Sequence, residues 1–134
     1  MRLTRLLFLM LFTAKLSYAE PLSYFNRSNL PEAIILYNSA NPCETCNKAI
    51  NMLIHVLKAE YRYKMHAYLI DMERHPEFAA LFKTDAPLTL VITRISDNEF
   101  SGYDKLIGLQ SQTGDSAVFN RHVTEFINNF LGFY

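Results

Sequence analysis

Two cysteines, Cys43 and Cys46, stand between a short apolar run and a helical repeat, and the 134-residue chain has no others. Ahead of them, Ala33-Ile34-Ile35-Leu36-Tyr37 is nearly continuous in apolar character, as expected of a strand buried on both faces. Asn38-Ser39-Ala40-Asn41-Pro42 is loop chemistry. Behind the pair, Ile50, Leu53, Ile54 and Leu57 recur at helical spacing, with Cys46 and Ala49 on the same side. The helix is expected to open at Asn41 as cap, with Pro42 in the first helical position and Glu44 closing a capping box. A buried strand running straight into a helix that begins with two cysteines admits few folds.

That placement carries chemistry. Three residues along a helix bring two side chains to one face, within disulfide reach. A helix N-terminus carries partial positive charge and free N–H groups, which favour a thiolate over a thiol. The thiolate is the nucleophile. Cys43, nearer the terminus and solvent, is the expected nucleophile, and Cys46 the resolving thiol. Glu44 and Thr45 between them are expected to tune the pair, since Glu44 sets a negative charge beside Cys43 and opposes a second one. Two other readings stand beside this one. A zinc site needs four ligands, and His55, His66, His75 and His122 offer no second pair at metal spacing. A structural disulfide is the stronger rival, although so short a loop removes little chain entropy. No metal and no cofactor are expected.

The N-terminus reads as an export signal. Arg2 and Arg5 precede the apolar run Leu6 to Phe12, and Ser17-Tyr18-Ala19 offers small residues for cleavage after Ala19. The run is far shorter than the roughly 20 residues of a membrane span. A signal peptide over 1–19 and one domain over 20–134 are therefore expected, in the periplasm or otherwise outside the cytoplasm. Cleavage would take three of the 13 basic side chains and none of the 13 acidic ones. A mildly acidic surface argues against nucleic acid as a partner.

The remaining pattern supplies an α/β fold. Glu20 to Pro31 is a lead-in, with one short helix near Leu22 to Phe25. Met65 to Ile70 is a second strand, and the helix between the first two strands makes a parallel right-handed unit. Asp71 and His75-Pro76 open a short helix whose Phe78, Leu81 and Phe82 face inward. Leu88 to Thr93 and Phe100 to Ile107 flank the turn cluster Ser96-Asp97-Asn98-Glu99 as a hairpin. A last helix runs from about Asp115 to Leu131, burying Phe119, Val123, Phe126, Ile127 and Phe130, and Gly132 stops it. The product is a mixed four-stranded sheet with helices on both faces.

From Ala33 to Phe130 this sequence resembles the thioredoxin superfamily. The matching stretches are Ile34 to Tyr37 ahead of Cys43-Glu44-Thr45-Cys46, then Ala67 to Asp71 before a short helix, then Ala86-Pro87-Leu88-Thr89-Leu90-Val91-Ile92. The resemblance implies a cis-proline at Pro87 beside the cysteines, and a substrate strand pairing with the backbone of Ala86. It implies a thiol–disulfide oxidoreductase, reductase or isomerase-like, working on protein thiols and disulfides as a monomer, with a membrane redox partner to reset it. The chain departs from thioredoxins proper. Pro42 stands where Trp is usual, Glu44-Thr45 replaces Gly-Pro, and Tyr37 holds the place of the buried acid. These departures point to a specialised role. The alternative is a non-catalytic interaction module of an envelope assembly, with Cys43–Cys46 as a structural clip; a further one is a chaperone-like binder using the groove beside Pro87.

Overall fold

Alternation along two central strands divides the core into two halves. In the computed structural model, which describes residues 30–97 and 99–132, β1 (Glu32–Tyr37) lies between β2 (His66–Asp71), to which it is parallel, and β3 (Leu88–Ser96), to which it is antiparallel. β4 (Glu99–Ile107) pairs with the far side of β3, giving the order β2-β1-β3-β4. The signal segment with its Ala19 site, and the short helix near Leu22 to Phe25, lie outside the described residues.

β1 and β3 are buried on both faces because helices cover both. Ala33, Ile35, Leu90 and Ile92 face α1 (Cys46–Tyr61) and α3 (Ser116–Leu131), meeting Leu53, Leu57, Phe119, Val123 and Ile127. Ile34, Leu36 and Val91 face the other way, onto Phe78 and Phe82 around α2 (Pro76–Leu81). Phe82 is the hub of that side, 5.3 Å from the Phe100 ring and 5.0 Å from that of Tyr103, both edge-on. The Lys105 ammonium reaches across from β4 to the carbonyls of Phe82 and Lys83, just past the end of α2. That is where a helix leaves carbonyls without partners and favours a cation.

Helix ends follow local chemistry in one case and not in another. Asp115 caps α3 by accepting from the Ala117 and Val118 N–H groups at 3.0 and 3.2 Å, and Gly132 ends it at φ 82°, where only glycine is unstrained. Phe126 and Phe130 are only partly buried, so the buried stripe of α3 is narrower than its aromatics suggest. α1 begins at Cys46, not at Pro42. The Asn38 side chain accepts from the Ala40 N–H at 3.0 Å, and the Asn41 N–H donates to the Asn38 carbonyl at 3.2 Å. This turn diverts Asn41 from capping. Thr45 takes the cap position without a side-chain bond, and no acid stands in the first helical turn. Glu44 is an exposed turn residue outside the helix, so the expected capping box does not form.

Candidate active site

The end of β1 delivers the chain to the cysteines. After Tyr37 the loop 38–45 crosses to α1, and its last turn closes with the Cys46 N–H donating to the Cys43 carbonyl at 3.1 Å. Cys43 and Cys46 are joined as a disulfide with Cα atoms 5.2 Å apart, an ordinary span for one. The two sulfurs are not equivalent. Cys46 is 7 % exposed and packs with the core cluster of α1, whereas Cys43 is only half-buried. Cys43 lies three residues ahead of Cys46, the first residue of α1, in the loop that approaches the positive end of the helix dipole. Of the bonded pair, Cys43 is the member a partner can reach, and Cys46 is the one the protein holds.

An anchor that the sequence reading passed over holds the loop. One carboxylate oxygen of Asp71, at the end of β2, accepts from the Ser39 N–H at 3.1 Å and from the Glu73 N–H at 3.0 Å. The Ser39 hydrogen bonds hold the Asp71 carboxyl below the usual carboxylate range, against the opposing effect of its burial. The Met72 N–H donates to the Tyr37 carbonyl at 2.7 Å, and the Asp71 carbonyl receives the Arg74 and His75 N–H groups. The loop that bears Cys43 is thereby tied to the neighbouring strand. The signal for this was an aspartate closing an apolar strand opposite a loop.

Pro87 is where the pairing expected it and not in the expected isomer. Leu88 pairs with Tyr37, so Pro87 lies just past the end of β1 from which the loop leads to Cys43. Every described peptide bond is trans, Ala86–Pro87 included, which corrects the cis expectation. The loop around it is closed by the Thr84 and Thr89 hydroxyls at 2.8 Å and by the Ala86 N–H donating to Thr84 at 3.3 Å. That arrangement accommodates the isomer that is intrinsically favoured by about 0.5–1 kcal/mol. The Ala86 N–H is thereby engaged within its own loop.

The other singled-out residues are scattered. Thr45 and Glu44 are exposed beside Cys43. Tyr37 is partly buried against the α1 side of the core. His75 sits 3.7 Å from Glu77, and His122 contacts the Gln112 amide oxygen. Among the described residues, no three of His, Cys, Asp and Glu converge as a metal site would require. The most deeply buried acid among the described residues is Glu32, 1 % exposed at the start of β1. Burial pushes its carboxyl up to about 7, and the Tyr68 hydroxyl opposes part of the rise without closing a hydrogen bond of ordinary geometry. It lies five residues before Tyr37, about 16 Å along the strand from the cysteine end, and so is no base for the thiols.

Comparison with solved structures decides the architecture. The Trx4 domain of ERdj5 superposes with a TM-score of 0.57 at 11 % identity, over 82 % of this chain and 90 % of that one. The fold is that of thioredoxin. A thioredoxin of Trichomonas vaginalis gives 0.56 at 13 % identity, over 81 % and 90 % of the two chains. The oxidised mitochondrial thioredoxin 3 of Saccharomyces cerevisiae gives 0.53 at 17 %, over 83 % and 89 %. No protein-family profile matches the chain, and no curated protein matches it in sequence. In this thioredoxin fold, Cys43-Glu44-Thr45-Cys46 occupies the turn at the head of the first long helix, and Pro87 lies beside the start of the loop that leads to it.

Proposed function

We propose that the protein is an exported thiol–disulfide oxidoreductase that exchanges disulfides with protein substrates through Cys43 and Cys46. The observation that carries this reading is the unequal exposure of the two bonded sulfurs at the head of α1. In the reduced protein, the Cys43 thiolate attacks one sulfur of a substrate disulfide. A Cys43–substrate bond forms, the substrate bond breaks, and the departing thiolate takes a proton from water. Cys46 then gives its proton to solvent and attacks the Cys43 sulfur. This forms the Cys43–Cys46 bond and releases the second substrate thiol. Two electrons have passed from the pair to the substrate. A dithiol reductant, supplied by a membrane redox partner, returns them. Arg2, Arg5, the Leu6 to Phe12 run and Ala19 support export.

Trapping tests the assignment. Cys46→Ser should accumulate mixed disulfides with oxidised, disulfide-bonded substrate proteins, and Cys43→Ser should not. Trapping by the reverse variant, or by neither, sinks the mechanism. The reduction potential separates an exchanger from a clip. An exchanging pair falls within about −120 to −270 mV, and a structural bond typically below about −300 mV.

A further inference from the structure

β2 is the outermost strand on its side of the sheet. The His66 N–H donates to the Pro31 carbonyl at 3.0 Å and the Met72 N–H to that of Tyr37 at 2.7 Å, so the even-numbered residues here turn their backbone toward β1. Ala67 and Leu69 turn theirs outward. No described strand pairs with that edge. Both residues are exposed, Leu69 by 49 %. Natural edges of this kind are covered, charged or used for pairing.

An open groove of about 550 Å³ runs beside that edge. Ile54, Leu57, Met65 and Leu69 give it an apolar lining, and Lys58, Arg62 and His66 stand at its rim. No aspartate or glutamate lines it, and among the described residues Lys58 and Arg62 form no ion pair. Glu60, the nearest acid on the helix, is not part of the lining. Lys58 is twelve residues along α1 from Cys46, about 18 Å, so an occupant leaves Cys43 free.

We propose that this groove takes an extended acidic and apolar segment of a partner protein, added to β2 as a fifth strand. Two outward residues spaced by two, each with a donor and an acceptor, match the repeat of a polypeptide and not that of a small molecule. An apolar side chain of the incoming strand packs on Leu69 and Ile54, and its carboxylates meet Lys58 and Arg62. A second copy of this chain is the poorer fit, because a two-fold pairing of β2 edges sets these cations against themselves.

The test uses the full-length protein and a fluorescein-labelled decapeptide of repeating valine-serine-glutamate-serine, which sets valine and glutamate on one face of a strand, followed by anisotropy at low salt. Saturable binding is expected, with the counterpart carrying lysine for glutamate at least roughly tenfold weaker. The double variant Lys58→Glu, Arg62→Glu should lose about the same factor. Ala67→Pro removes one outward N–H and leaves the ladder to β1 intact, so it should also weaken binding. Should that variant fail to fold, amide exchange on the native chain decides. Ala67 and Leu69 should exchange freely alone and become protected with peptide. Equal affinity for the two peptides overturns the proposal. So does binding indifferent to the charge reversal, or protection of both amides in the free protein, which would mean that the chain's own residues already cover the edge.

Discussion

Glu32 allows the electrostatics of this core to be measured without knowing a substrate. Its side chain is 1 % exposed, and burial raises its carboxyl from 4.5 to about 7. Below about 4.5 the group is neutral in both folded and unfolded chains, and pH has no effect through it. Between about 4.5 and about 7 the unfolded chain releases its proton while the folded chain keeps it, so rising pH favours unfolding. Above about 7 both are ionised and the penalty is constant. At about 1.4 kcal/mol for each pH unit between the two values, the loss is at most about 3.5 kcal/mol, and partial solvation of the carboxylate leaves about 3 kcal/mol. Glu32→Gln carries no charge at any pH and should escape this loss, although its amide adds a constant burial cost. Urea unfolding with the disulfide intact, from pH 4 to 8.5, reads the difference between variant and wild type; other titrating groups cancel in that difference. The variant should gain about 3 kcal/mol relative to wild type across the window, a relative midpoint shift of roughly 2 M for a domain of this size. Parallel curves through pH 4.5 to 7 would refute the placement of a buried, poorly partnered carboxylate at the start of β1.

Asp71 should behave in the opposite sense. Its carboxyl is held low, so its contribution is present above its ordinary value and is lost as pH falls through the folded one. Asp71→Ala should destabilise the protein and release the Ser39 amide to exchange, while Asp71→Asn, which keeps an acceptor, should cost less; equal losses would mean that the hydrogen bonds do not anchor the loop. In the reduced protein, iodoacetamide should modify Cys43 faster than Cys46 by on the order of tenfold or more, read by peptide mass mapping; equal rates would remove the basis for the assigned roles. Phe82→Ala should destabilise by about 3–5 kcal/mol in urea, given its full burial among Phe78, Phe100 and Tyr103.

What could be read in the sequence was whatever local chemistry decides alone. The apolar run Ala33 to Tyr37, the hairpin around Asp97, the Asp115 cap and the Gly132 stop all appear where side-chain periodicity and turn preference put them. Cys43 and Cys46 were legible for the same reason, being three apart at a strand-to-helix junction. The misreadings arise where a tertiary or competing contact wins. Asn41 and Glu44 satisfy a capping rule on paper, but the Asn38 side chain claims that stretch for a turn. Asp71 acts on Ser39 across 32 positions, which no local window contains. Glu32 looks like the polar entry to a strand until its pairing with His66 on one side and Thr93 on the other puts it inside the sheet. The trans bond before Pro87 belongs with the Thr84–Thr89 contact, another feature no motif encodes.

The position of Cys46 has a consequence for the exchange proposed above. As the first residue of α1, wedged into the core beside Ala49 and Leu53, it keeps its place through the packing of the helix and not through the disulfide. Breaking the bond should free Cys43, while the Asp71 anchor at Ser39 and the packing of helix on sheet do not depend on it. A link closing so short a loop takes little freedom from the unfolded chain, so opening it gives little back. Oxidation and reduction are then events of one turn of backbone. In the proposed exchange, the scaffold then has little to rearrange between one turnover and the next.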